Sequence, residues 1–149
     1  MTTPDYPRAY LYKRIVAAKL FMDSHFSDDI DLLNIADEAC FSRFHFIRLF
    51  KAIYERTPYQ YLMSVRIEAA KKLLQQEHSV SDTCFSVGFD SLSSFSGLFK
   101  RYTRQSPTEY SHAYAARQEQ IREIPLQFIP ACFADQKSWT QKSNFEEVN

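Results

Sequence analysis

Between Ser42 and Lys51 the chain places Arg43, Phe44, Ile47, Arg48 and Lys51 at intervals of three and four, which gather side chains on one face of an α-helix. The two guanidinium groups offer planar forks of hydrogen-bond donors, and the ammonium of Lys51 offers a mobile cationic donor. Phe44 and Ile47 add flat and branched apolar contact between them. A solvated surface seldom mixes Phe and Ile with three cations; the mixture suits a surface that meets both bases and phosphates. The plainer alternatives are solvated cations for Arg43 and Lys51 and a partly buried ring for Phe44.

Other chemistries find little support. His25, His45, His78 and His112 show no ligand spacing among themselves or with cysteine, so no metal is expected. No nucleophile with its base, paired carboxylates or glycine-rich phosphate loop stands out, so neither an enzyme nor a cofactor is expected. Cys40, Cys84 and Cys132 are odd in number and far apart, which reads as free thiols in a reducing compartment. With no signal peptide and no membrane-length apolar run, the expected location is the cytoplasm.

The elements that must hold the Arg43–Lys51 face are set by its opposite side. Phe46, Leu49, Phe50 and Ile53 point inward, and the stretch Phe46-Ile47-Arg48-Leu49-Phe50-Lys51 returns 49 residues later as Phe95-Ser96-Gly97-Leu98-Phe99-Lys100. At the same offset Pro58 matches Pro107 and Tyr61 matches Tyr110, while Phe41 answers Phe89 with one residue inserted. One unit is used twice. A helix of about eight residues, a tight turn and a second helix is the layout of a helix-turn-helix.

At 149 residues the chain holds one ordinary domain or two very small ones sharing a core, and 45% apolar residues argue against wholesale disorder. Gly88 and Gly97 are its only glycines, which favours helices. The net charge is zero, but the charges are segregated. Asp23, Asp28, Asp29, Asp31, Asp37 and Glu38 form an acidic run without cations. From Cys40 to Lys72 there are seven cations against Glu55 and Glu68. The average conceals a basic side.

In chain order, Leu11, Ile15, Ala18, Met22 and Phe26 trace a helical face that predicts a first helix from about Arg8 to His25. Asp31 can cap a short helix, about Leu32 to Ala39. Ser42 caps the next, which reaches about Tyr54. Thr57-Pro58-Tyr59-Gln60 is a capping box with proline at the first helical position, opening a long helix to about Gln76. Ser79 caps a helix carrying a small, buried Cys84, and Asp90 or Ser91 caps a helix running to about Thr103. Its inward set is Phe95, Leu98, Phe99 and Tyr102. Ser106-Pro107-Thr108-Glu109 repeats the capping box and opens a last helix to about Arg117. The expected class is therefore all-α, with seven helices in two helix-turn-helix subdomains joined by a long linker helix. From Gln118 the pattern stops, and the prolines and large apolar residues through Trp139 suggest a segment that partly packs back or binds a partner.

The doubled motif resembles the DNA-binding domain of the AraC/XylS family of bacterial transcription regulators. The resemblance covers about Leu11 to Tyr114. It is carried most specifically by Val87-Gly88-Phe89-Asp90-Ser91-Leu92-Ser93-Ser94-Phe95, Leu98-Phe99-Lys100-Arg101-Tyr102 and Ser106-Pro107-Thr108-Glu109-Tyr110, with Tyr61-Leu62, Arg66-Ile67, Ala70 and Leu73-Leu74 matching the linker pattern. It implies a DNA-binding domain over 8–117, with a first subdomain at about 8–56, a linker helix at 58–76, a second subdomain at 79–117 and an extension at 118–149. It further implies a sequence-specific regulator of the small stand-alone type, an activator that binds double-stranded DNA as a monomer through two successive major-groove segments and has RNA polymerase as a partner.

The resemblance assigns base contacts to Arg43, Phe44, Ile47 and Arg48 in the first reading helix and to Leu92, Ser93 and Ser96 in the second. Arg48 can donate twice to guanine, and Phe44 and Ile47 can pack on thymine methyls. Phosphate contacts fall to Ser42, Lys51, Ser91, Lys100, Arg101 and Arg104. The second helix departs from the family: its reading face is short-chained, and Gly97 stands where many members carry arginine. The first unit is therefore expected to supply most of the sequence preference, and the second to anchor. Arg66, within the linker helix, is expected to be structural, since an arginine on an amphipathic joining helix can pair with Asp or Glu of either subdomain. The rival to the whole reading is a protein-interaction module or anti-regulator that has lost most DNA specificity.

Overall fold

The computed structural model describes residues 6–32, 35–36, 42–130 and 133. Among these residues all regular structure is helical: α1 (Tyr6–His25), α2 (Arg43–Tyr54), α3 (Pro58–Gln75), α4 (Val80–Ser86), α5 (Leu92–Thr103) and α6 (Pro107–Glu123), then a 3-10 turn at Pro125–Phe128. The helix expected at Leu32–Ala39 falls largely outside the described residues. Leu32, Ile35 and Ala36 are helical, Ala36 is buried, and the Ile35 N–H donates to the Asp31 carbonyl at 3.3 Å. Phe41, Cys40, Cys132 and Trp139 also lie outside the described residues.

By packing, the chain divides into two units, Met1–Tyr110 and Ser111–Asn149. The first has one apolar core. Ile15, Ala18 and Met22 of α1 meet Phe46 and Phe50 of α2, Leu62, Met63, Ile67, Ala70 and Leu74 of α3, Cys84 of α4 and Phe95 and Phe99 of α5. The long helix α3 lies at the centre, packed against α1, α2, α4 and α5. Tyr61 of α3 donates its hydroxyl proton to Asp23 of α1 at 2.6 Å, and Lys19 holds the same carboxylate at 2.6 Å. Burial, followed by the bond to Asp23, raises the Tyr61 pKa above its ordinary value.

The 49-residue repeat is reproduced down to the side chains. Ser42 accepts from the His45 N–H at 3.3 Å, and Ser91 accepts from the Ser94 N–H at 3.3 Å. Phe46 and Phe50 lie 5.9 Å apart, Phe95 and Phe99 5.6 Å. Tyr61 meets Phe50 edge-on at 5.7 Å, as Tyr110 meets Phe99 at 5.4 Å. Each reading helix ends on a left-handed residue, Glu55 at φ 58° and Arg104 at φ 68°, whose N–H returns to Lys51 and Lys100 respectively. Both capping boxes form. Thr57 and Gln60 exchange bonds of 3.0 and 3.2 Å, Ser106 and Glu109 bonds of 2.7 and 3.3 Å.

Three expectations are corrected. Ile53 and Tyr102, assigned inward, are 36% and 42% exposed. They occupy the same place in the repeat, on the last turn of each reading helix. There Tyr61 and Tyr110 of the following helices take the space against Phe50 and Phe99, and the Tyr102 hydroxyl instead donates to the Gln60 carbonyl at 3.3 Å. The last helix does not stop near Arg117 but continues to Glu123. Gln118–Glu123 lacks glycine and proline, Glu119 and Arg122 pair at 3.6 Å, and the stop comes where Ile124 precedes Pro125. In the second unit, the Arg117 guanidinium lies over the Phe128 ring at 5.5 Å. The third correction concerns Arg66.

Candidate nucleic-acid interface

The first reading helix is held from behind by Phe46 and Phe50, both fully buried, so its rotation about its own axis is set and its other face is committed outward. On that face Arg43, Arg48 and Lys51 are exposed, and Phe44 is 81% exposed. A phenyl ring held so far out on a well-anchored helix does nothing for the core. Ile47 is only half outward: it packs against the core and, with Leu32, Ala36, Phe46 and Pro58, lines a small hollow of about 380 Å³ whose rim includes Arg43, Thr57 and Tyr59. Ser42 keeps an exposed hydroxyl engaged as the helix cap.

The second reading helix is anchored in the same way by Phe95 and Phe99. Leu92 is 42% exposed, Ser93 is exposed and Ser96 is half-buried. Ser91 is the cap, and Lys100, Arg101 and Arg104 are exposed at the far end. Gly97 is exposed, and a Cβ built there would meet nothing within 4 Å. Packing therefore does not require the glycine. The face is open and short-chained, with its cations gathered at the C-terminal turn, where they also favour the helix dipole.

Arg66 is placed differently from the expectation of a carboxylate partner. It is buried in α3, and its guanidinium donates to three backbone carbonyls: Nε to Phe26 at 2.7 Å, Nη1 to Gly88 at 2.8 Å and Nη2 to Asp28 at 2.9 Å. Its Cζ also lies 5.7 Å from the Phe89 ring centre. Burial lowers its pKa, and the charges of Asp90 and Asp29 oppose that shift. A signal was legible: Arg66 stands in line with Leu62, Ala70 and Leu74, all buried at spacings of four, where an arginine must find acceptors inside.

Two capped helices, α2 and α5, present cation-bearing faces while anchoring in one core, with a short turn preceding α5 and the long helix α3 packed against both. They define a helix-turn-helix protein of the kind that enters DNA grooves. Residues 35–113 match the family model described as a helix-turn-helix domain. The solved DNA-binding domain of AdpA, a global transcriptional factor crystallised with a target DNA, superposes with a TM-score of 0.67 at 30% identity, covering 71% of this chain and 96% of that one. A Chromobacterium violaceum regulator described by its AraC-type DNA-binding domain gives 0.63 at 26% identity, covering 70% and 94%. The MmsAB operon regulatory protein of Pseudomonas aeruginosa is 35% identical over 91 residues, which are 60% of this chain and 30% of that protein. The chain belongs to the AraC-type helix-turn-helix family of transcription regulators. It spans less than two thirds of the length of such curated relatives, 59%, 43% and 26% in three of them. Among the described residues, no helix is long and apolar enough to cross a membrane.

Proposed function

We propose that this chain binds double-stranded DNA sequence-specifically as a monomer, laying α2 and α5 in successive major-groove segments on one face of the duplex, and that it acts as a transcriptional activator. The observation that carries the reading is the 49-residue repeat itself. It supplies two helices with identical caps, identical phenylalanine anchors and outward cations, set on one core. One turn of B-DNA is about 34 Å, and a single rigid connecting helix suits that separation. The DNA held by the AdpA domain supports the same reading.

In this reading the DNA-binding domain spans residues 8–117, and α6 runs on into the extension. Arg48, Arg43, Phe44 and the outward part of Ile47 read bases, and Leu92, Ser93 and Ser96 add weak readout. Ser42, Lys51, Ser91, Lys100, Arg101 and Arg104 meet phosphates. RNA polymerase is the partner that an activator of this kind recruits.

A second reading, docking on a protein partner, is favoured by the outward face of α1. There Tyr12, Val16, Leu20 and Phe21 are 46%, 43%, 55% and 43% exposed. Selection from a random pool of duplexes of about 25 base pairs at two salt concentrations separates the two. An enriched asymmetric motif whose affinity falls steeply with salt is the expected result; no enrichment and little salt dependence would favour the protein partner.

A further inference from the structure

The three carbonyls held by Arg66 belong to different parts of the domain. Phe26 and Asp28 follow α1 in the first helix-turn-helix subdomain, and Gly88 lies in the turn between α4 and α5 of the second subdomain. The arginine itself sits near the middle of the helix that joins them. A planar guanidinium donates in fixed directions, so three short bonds from one group fix both the distance and the angle between the backbones it touches.

Gly88 tightens the same joint. It adopts φ +88°, and a Cβ there would lie 2.8 Å from the Ser27 carbonyl oxygen and 3.0 Å from Cζ and Nη2 of Arg66. The turn ahead of the second reading helix is thus drawn against the end of α1 more closely than a side chain allows. Helix α1 packs on α2, and α4 packs on α5, so the joint lies between the scaffolds of the two reading helices.

We propose that Arg66 is a positioning residue that sets the separation and twist between α2 and α5, and so fixes the number of base pairs between the two DNA segments that the protein accepts. The proposal rests on the DNA-binding reading above. Inserting one base pair moves a segment by about 3.4 Å and turns it by about 34°, which a rigidly jointed pair of helices cannot follow. Lysine in place of Arg66 brings one compact charge on a flexible stem, which cannot hold three carbonyls in fixed directions.

The test uses the full chain as wild type, Arg66→Lys and Gly88→Ala. The wild-type motif from random-pool selection is rebuilt with one base pair removed, unchanged or added between its two segments, alongside a duplex carrying the α2 segment alone. The wild type should lose at least about tenfold in affinity with either altered spacing. In Arg66→Lys that ratio should shrink to about threefold or less, with affinity for the single segment changed less than about twofold. Gly88→Ala keeps the arginine but disturbs its cradle, and should shift the ratio in the same direction. If Arg66→Lys does not melt cooperatively, the ratio in Gly88→Ala decides. A uniform loss across the series with the spacing ratio intact in every folded variant overturns the proposal while leaving DNA recognition standing. Failure of the wild type to enrich any motif overturns both.

Discussion

Replacing Gly97 by alanine should make this protein more stable. The residue is the sixth of twelve in α5, its φ is not in the left-handed region, it is exposed, and an added Cβ meets nothing within 4 Å. No contact is therefore lost, and no apolar area worth counting is gained. What remains is backbone freedom: glycine in a helix interior costs about 1 kcal/mol against alanine, much of it through the larger entropy of the unfolded chain. For a domain of this size, about 1 kcal/mol should raise Tm by roughly 4 °C. Thermal and urea unfolding followed by circular dichroism read this directly, and the urea midpoint should rise without a change in slope. Gly97→Arg should keep most of that gain. It should also tighten DNA binding by about tenfold through one added charge-assisted bond, with a steeper salt dependence. A lower Tm in Gly97→Ala would mean that the helix needs glycine there, and the packing argument would fail. Higher stability with unchanged DNA affinity in Gly97→Arg would mean that this face of α5 does not lie against the duplex.

Arg48→Ala should cost about 1 to 3 kcal/mol on the preferred site and relax a single base position, measured by competition against a panel of point-substituted duplexes. Lys100→Ala should weaken all sequences alike and reduce the slope of log affinity against log salt by about one; a sequence-dependent loss would contradict its phosphate role. The Glu109 carboxylate accepts from the Ser106 N–H and is held below its ordinary pKa chiefly by that bond, with help from the Ser106 side chain and the charge of Lys100. Its folded pKa lies below its unfolded one. Its stabilising effect is therefore present above the unfolded pKa and is lost as the pH falls through the folded value. Urea midpoints from pH 7 down to pH 3 should fall less steeply in Glu109→Gln than in the wild type. Cys84 is fully buried, and burial raises its thiol pKa. With Cys40 and Cys132 replaced by serine, a thiol reagent at neutral pH should modify Cys84 at the rate of unfolding, and fast labelling of the folded protein would contradict its burial.

What could be read without coordinates was local. Caps at Ser42, Thr57, Ser79, Ser91 and Ser106 depend on hydrogen bonds three residues long. The phenylalanine anchors depend on helical periodicity, and the recurrence of both at one offset showed that a unit was doubled. The outward position of Arg43, Phe44, Arg48 and Lys51 followed from the same periodicity, because a helix pinned by Phe46 and Phe50 has only one way to face. Periodicity misled at the last turn of each reading helix. Ile53 and Tyr102 hold an inward phase, but a tyrosine from the next helix already occupies the space, and sequence spacing does not record competition for volume. It also could not divide Ile47 between surface and core. Arg66 marks the limit most clearly. Its place among buried neighbours was visible in the sequence, yet its acceptors are carbonyls 22 to 40 residues away, carried by every residue type alike and distinguished only by where the chain brings them. Side-chain chemistry and spacing determined the elements and the face they offer. Only the tertiary structure decided how the two helix-turn-helix subdomains are fastened together, because Arg66 is held there by main-chain carbonyls, and a carbonyl leaves no mark in the sequence that names it as the acceptor.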